Sequence, residues 1–193
     1  MKEKKISQFI LGAGKPFEGE ESSSLKRVSE DSRVLDWTLQ AAKYLKPKVH
    51  FVAGYQIDEI VSRYPSLQYT INPKWDSTGP IVSLLEAKDQ ENLHSIVSYG
   101  DILFREKTVR ELMASDADIA IAVDSVWKER YSTRTKEDIE RSEKVITFGQ
   151  ELESSSKDIS PENANAEFIG LLTFKPKVMD FLSKNSEFLK SEM

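Results

Sequence analysis

The chain has 193 residues, 39% of them hydrophobic, two histidines, no cysteine and a formal net charge of −5. That length suits one core of ordinary size, so a single domain over residues 1–193 is the expectation. The missing cysteines exclude disulfides, thiolate nucleophiles and thiolate metal sites, and point to a cytoplasmic setting. The acidic balance argues against a nucleic-acid partner, and no apolar run approaches the roughly eighteen residues of a membrane span.

The opening "MKEKKISQFILGAG" has a basic flank and a short apolar patch without a small-residue cleavage site, which reads as a first strand, "KISQFIL", and not a secretion signal. The strand stops in Gly12 and Gly14 and is followed by a polar loop, "KPFEGEESSS", before Lys26 and Arg27. In "RVLDWTLQAAKYL", Val34, Leu35, Thr38, Leu39, Ala42 and Leu45 recur at three- and four-residue spacings, which predicts an amphipathic helix. "KVHFVAG" and "LQYTIN" read as strands on either side of the helical "QIDEIVSRY". A helix from "PIVSLLEAK", a strand "HSIVSYG", a helix "EKTVRELMAS" and a strand "DIAIAVD" come next. This alternation predicts an α/β, Rossmann-like fold with a mostly parallel central sheet flanked by helices.

Beyond Asp124 the pattern changes. "VWKERYSTRTKEDIERSEK" is charged and has no clear apolar stripe, so it reads as a solvated excursion. "KVITFG" and "AEFIGLLTF" read as strands, the Ser-rich "QELESSSKDISPENAN" between them as turn and loop, and "KPKVMDFLSKNSEFLK" as one final helix. His50 and His94 fall inside predicted strands, away from any metal-ligand spacing, and read as structural.

A strand ending in "LGAG" can bring backbone amides against phosphate oxygens, because glycine puts no side chain in the way. Neither the third glycine of the dinucleotide fingerprint nor the Gly-Lys-Ser/Thr of a P-loop is present, so a plain tight turn remains the other reading. Together with three segments downstream, this start resembles that of the nucleotidyltransferases of GT-A-like fold. "ILGAG", a polar loop, a cation and a helix at "RVLDWTLQAA" match the family's first elements. "NPKWDSTGPIVSLLEA" resembles its Asn-Pro segment and Ser-Leu helix, "YGDILF" its metal-binding Gly-Asp segment, and "AEFIGLLTF" a late strand facing the acceptor. These segments occur in the family's order, and they look most like the branch that activates phosphocholine or aminoethylphosphonate with CTP, including domains joined to phosphoenolpyruvate mutase. Two departures stand out. The family's second loop glycine and nearby arginine are replaced around Lys15 and Pro16, and its Lys-Pro pair appears as Lys26-Arg27.

The resemblance implies attack of a phosphate or phosphonate oxygen on the α-phosphorus of an NTP, CTP favoured, with Mg2+ as cofactor and pyrophosphate as the leaving group. It implies nucleotide contacts from Leu11, Gly12, Ala13, Gly14, Lys15, Arg27, Asn72, Thr78, Gly79 and Ser83. Lys26 would be the cation at the α-phosphate and Asp101 the metal ligand. Each has an alternative: Lys26 and Arg27 as solvated loop cations, Asp101 as a helix cap, and "NPKWDSTGP" as a loop with a helix cap. Asp124, Lys128, Arg130, Glu167 and Gly170 would meet the acceptor, with Trp127 and Tyr131 beside them. A charged lid or a dimer contact would give the same composition around residue 128. Family members also carry a second metal carboxylate in a C-terminal "Asp-x-Asp" strand that the sequence to Met193 does not include. The expectations are that Glu167 or Asp124 substitutes, that the sequence is a piece truncated at the C-terminus, or that activity is lost. Three functions are consistent with these readings: the cytidylyltransferase, a sugar-1-phosphate nucleotidyltransferase, and a non-catalytic nucleotide-binding domain of the same fold. The expected partners are an NTP and a small phosphorylated or phosphonate acceptor, with no nucleic acid or membrane, and a homodimer or a fused partner domain is an open expectation.

Overall fold

A computed structural model of the chain describes residues 5–16, 21–87 and 93–191. The basic flank at residues 1–4, the middle of the polar loop at 17–20 and the predicted helix's Lys88 lie outside the described residues. The chain forms two compact units, residues 1–120 with 172–193, and residues 121–171.

In the first unit, strand β1 (Ile6–Leu11) leads through α1 (Val34–Ala42) to β2 (Lys48–Ala53), then through α2 (Ile57–Arg63) to β3 (Gln68–Ile71). Next come α3 (Pro80–Glu86), β4 (His94–Tyr99) and α4 (Glu106–Ala114). The four strands are parallel in the order β3-β2-β1-β4. Because β1 is interior, residues Ile6–Ile10 are all buried, the polar Ser7 and Gln8 among them.

Side-chain alternation along these strands separates two cores. Ile10, Phe51 and Ala53 face one way and pack with Leu25, Leu35 of α1 and Ile60 of α2. Phe9, Val52 and Val97 face the other way and pack with Leu84 of α3. The registry keeps each set level, with Ile10 opposite Phe51, and Phe9 opposite both His50 and Val97. The His50 ring stacks on Phe9 at 5.1 Å. Two crossovers therefore lie on one face of the sheet and the next on the other. The strand order reverses between β1 and β4, which leaves a crevice at their carboxyl ends.

The second unit starts within β5 (Ile119–Asp124) and ends within β8 (Ala166–Phe174). Between them lie α5 (Trp127–Arg130), α6 (Lys136–Arg141), β6 (Lys144–Phe148) and β7 (Glu151–Ser156). One sequence expectation is extended here and one corrected. The charged segment after Asp124 is largely exposed, as its composition predicts, and contains two short helices, α6 being started by a reciprocal Thr135–Asp138 capping box. The polar "ELESSS" is strand β7, an exposed edge paired antiparallel with β6 across a two-residue turn whose Gly149 has φ +60. Lys144 is 1% exposed, and its ammonium donates to the carbonyls of Ile139, Glu140 and Ser142 at 3.0, 3.3 and 3.1 Å. It closes the carboxyl end of α6, where a cation suits the unpaired carbonyls.

Back in the first unit, α7 (Pro176–Lys184) buries Met179 beside Phe9 and Phe174, and α8 (Ser186–Ser191) comes after it. The single final helix read from sequence is thus broken at Asn185, whose side-chain amide and backbone N–H both donate to the Phe181 carbonyl. Among the described residues no helix is long and apolar enough to cross a membrane.

Candidate active site

A cleft of about 360 Å³ opens in the first unit where the strand order reverses. Its walls come from the end of β1 and the loop after it (Leu11 to Pro16), Ser22–Ser24, the turn and first residues of α3 (Trp75, Thr78, Gly79, Pro80, Ser83), and the end of β4 (Tyr99, Gly100, Asp101). Nine predicted residues meet there: Leu11, Gly12, Ala13, Gly14, Lys15, Thr78, Gly79, Ser83 and Asp101.

The two loop glycines do different things. Neither has a positive φ. A Cβ at Gly12 would fall 2.3 Å from Phe51 Cζ and 3.0 Å from Ser24 Oγ, so this glycine answers to core packing. A Cβ at Gly14 would meet no described atom within 4 Å. The Gly12 N–H donates to the Val52 carbonyl at 3.0 Å and that of Gly100 to Leu11 at 2.9 Å, extending the sheet. The next step of the β1–β4 ladder is pre-empted. The buried Ser24 hydroxyl donates to the Gly100 carbonyl at 2.7 Å. No described residue accepts from the N–H groups of Ala13, Gly14 or Lys15, so these three amides, and not that of Gly12, are the candidate phosphate donors.

Asn72 stands behind the wall. It is 1% exposed, takes no part in the lining, and spends its side chain on scaffolding. Its amide donates to Thr78 Oγ1 at 2.9 Å and Ser83 Oγ at 3.0 Å, and its carbonyl oxygen accepts from the Lys74 N–H at 3.0 Å. Thr78 passes its own proton to the Lys74 carbonyl at 2.7 Å. Asn72 thus fixes two hydroxyls that do line the cleft.

Among the described lining residues Asp101 and Lys15, both exposed, are the charged ones, the acid two residues past the end of β4 and the cation directly after Gly14. Lys26 and Arg27 are exposed and outside the lining. The Lys26 carbonyl accepts from the Val34 N–H, and Arg27 donates to the Glu30 carbonyl at 2.7 Å. Ser22–Ser24, Trp75, Pro80, Tyr99 and Gly100 line the cleft although no sequence signal marked them as nucleotide contacts. Trp75 was visible there as the one aromatic within "NPKWDSTGP".

The predicted acceptor residues belong to the second unit. Asp124 accepts from the Val126 N–H at 3.0 Å and pairs with Arg130. Glu167 accepts a 2.5 Å hydrogen bond from the Tyr131 hydroxyl. Burial, and then this bond to the carboxylate, push the Tyr131 phenol up to about 12. Trp127 is buried edge-on to Tyr131, with the Lys128 ammonium 5.6 Å from its ring. Gly170 holds φ +80 within β8, a conformation that disfavours any other residue.

No known family profile matches the sequence. A curated relative, the CTP:phosphoglutamine cytidylyltransferase of Campylobacter jejuni subsp. jejuni serotype O:2, is 27% identical over 156 residues, covering 75% of this chain. The chain spans 62% of that relative's length. Among solved structures, a Bacillus anthracis protein described as a glucose-1-phosphate thymidylyltransferase, in complex with sucrose, superposes with a TM-score of 0.69 at 15% identity, over 92% of this chain and 74% of its own. The inositol-1-phosphate CTP transferase of T. maritima gives 0.66 at 15% identity, over 92% and 73%. The chain therefore has the α/β fold of these nucleotidyltransferases.

Proposed function

We propose that the protein is a nucleotidyltransferase that joins an NTP, CTP by preference, to a small phosphorylated or phosphonate acceptor and releases pyrophosphate. The observation that carries this is the convergence of three uncommitted amides, Lys15 and Asp101 in one cleft at the switch point between β1 and β4. The preference for CTP rests on the curated relative that uses it. An ionised phosphate or phosphonate oxygen forms the new bond to the α-phosphorus. The bond from that phosphorus to the α,β-bridging oxygen breaks, and its electron pair leaves with pyrophosphate. No protein nucleophile or base is required, so the residues serve to position the reactants and neutralise charge.

In this proposal the Ala13–Lys15 amides and the Lys15 ammonium hold the triphosphate, and Lys15 takes the phosphate-binding role that the family resemblance gives to Lys26. The cleft's donor set fits magnesium. Asp101 is the carboxylate of the lining, and among the described residues no three His, Asp or Glu side chains gather into a closed metal cage. One carboxylate with phosphates and water is a common magnesium arrangement. Asp101 would hold the ion, which when bound neutralises charge on the phosphates. Asp124, Lys128, Arg130, Glu167 and Gly170 are proposed to serve the acceptor.

The test is pyrophosphate release with magnesium, crossing the four NTPs with aminoethylphosphonate, phosphocholine, phosphoglutamine, glucose 1-phosphate and inositol 1-phosphate. Release that requires CTP and one acceptor together is expected, and Asp101→Ala should lower it by about 100-fold or more. A second reading, a non-catalytic nucleotide-binding domain, is favoured by there being one carboxylate, Asp101, among the described lining residues. It predicts CTP binding with no release in any combination.

A further inference from the structure

The cleft's described lining includes the charged Lys15 and Asp101 and also Trp75, Thr78, Pro80 and Ser83, which are aromatic, aliphatic or hydroxylic and uncharged. Trp75 is held firmly on one side. A Cβ on Gly54 would come within 2.5 Å of Trp75 Cγ and 2.6 Å of its Cβ, so the side chain packs directly on the glycine's backbone. The Tyr55 ring lies 5.6 Å from the indole at 59°, and the Lys15 ammonium lies 5.7 Å from the Tyr55 ring. A large indole held this way presents a rigid flat surface at little further cost in side-chain entropy.

We propose that Trp75 is the platform on which the base of the nucleotide stacks. This rests on reading the cleft as an NTP site and names the part that recognises the nucleoside. Stacking is tolerant of base identity. The platform therefore supplies affinity for nucleosides in general.

The experiment compares CTP with inorganic tripolyphosphate by calorimetry and intrinsic fluorescence on the wild type, Trp75→Phe and Trp75→Ala. CTP should quench the wild-type fluorescence and tripolyphosphate should not. Trp75→Phe, which keeps Trp37 and Trp127, should lose the quench and bind CTP within a few-fold of wild type. Trp75→Ala should bind CTP about 10- to 100-fold more weakly, with tripolyphosphate affinity unchanged. Because Trp75→Ala could misfold, its melting curve is compared with that of Trp75→Phe, which tests the same stacking contact through the lost quench. A quench that survives in Trp75→Phe, equal losses for CTP and tripolyphosphate in Trp75→Ala, or no CTP binding by the wild type overturns the proposal. Pyrophosphate release measured in parallel separates the two readings. Turnover by Trp75→Ala at the wild-type KM for CTP removes the platform and leaves transfer standing, and a CTP-specific quench without release under any acceptor does the reverse.

Discussion

Gly12→Ala and Gly14→Ala should act in opposite senses although the two positions are separated by one alanine. At Gly12 the new methyl would stand 2.3 Å from Phe51 Cζ and 3.0 Å from both Phe51 Cε1 and Ser24 Oγ. Carbon pairs settle near 3.5–4.0 Å, so Phe51 would have to withdraw by more than an ångström. It has nowhere to go. The ring is fully buried against Ile10, Leu25, Leu35 and Ile60. Overpacking of this kind costs about 1–3 kcal/mol, and in a chain of this length each kcal/mol moves Tm by about 2–4 °C. Gly12→Ala should therefore melt about 2–12 °C lower. At Gly14 the methyl meets nothing within 4 Å, and φ is not left-handed. Restricting the unfolded chain should stabilise this variant by about 0.4–1 kcal/mol, an increase of about 1–4 °C. The same methyl occupies the mouth of the candidate phosphate site, so CTP should bind about tenfold more weakly or worse, equivalent to about 1.4 kcal/mol. Thermal unfolding by circular dichroism and CTP calorimetry read both effects. A Gly14→Ala protein that melts like Gly12→Ala, or binds CTP like wild type, would refute the division of labour between the two glycines.

Asn72→Ala strips partners from Thr78, Ser83 and the Lys74 N–H. It should cost about 2–4 kcal/mol in urea unfolding and raise the KM for CTP, whereas an unchanged KM would show that the two hydroxyls do not meet nucleotide. Tyr131 should titrate late, at about pH 12, when tyrosinate absorbance is followed upward in pH. Because its folded pKa is raised, the stabilisation is complete below the ordinary tyrosine value near 10 and is lost as pH climbs through about 12. Tyr131→Phe should delete that late step, and its persistence would assign the step to another residue.

The elements of the first unit were legible because their residues have one environment each. β1 shows the apolar run Phe9–Leu11 of an interior strand, although its buried stretch also takes in Ser7 and Gln8, and α1 shows its stripe since one side packs on Ile10 and Phe51. β7 was not legible, because an edge strand exposed along "ELESSS" has no buried face to impose alternation. α6 buries no residue, so it lacks a stripe, and the signal that could have found it is local, the Thr135–Asp138 capping pair. Lys144 looked like an ordinary charged residue, and only the carbonyls of α6 explain its burial. In the candidate site, the Gly-rich turn and Asp101 could be placed from sequence because each follows the end of a strand of the same parallel sheet. Lys26 lies outside the described lining, and a loop of that length does not by its sequence determine which of its cations faces inward.

The cleft owes its shape to how the strand ends are terminated. A parallel ladder left to itself would continue from β1 into Gly12 and Ala13 and consume their amides against neighbouring carbonyls. It does so for one residue on each side, through Gly12 to Val52 and Gly100 to Leu11, and then Ser24 takes the Gly100 carbonyl. Ser24 comes from the far end of the polar loop, and the Ser22 N–H beside it donates to Gln56 Oε1 at 3.0 Å, so the loop is pinned where it ends the ladder. With Ser24 bonded to the Gly100 carbonyl, the Ala13 N–H makes no ladder bond to it, and the amides of Ala13, Gly14 and Lys15 have no described acceptor beside a cleft whose lining includes Asp101 and Lys15. A serine remote from any motif thus stands where the ladder stops at the "GAG" turn. Ser24→Ala would free that carbonyl while leaving Gly12 its contact with Phe51, so nucleotide affinity, read by CTP calorimetry, would fall with little change in the packing beneath it.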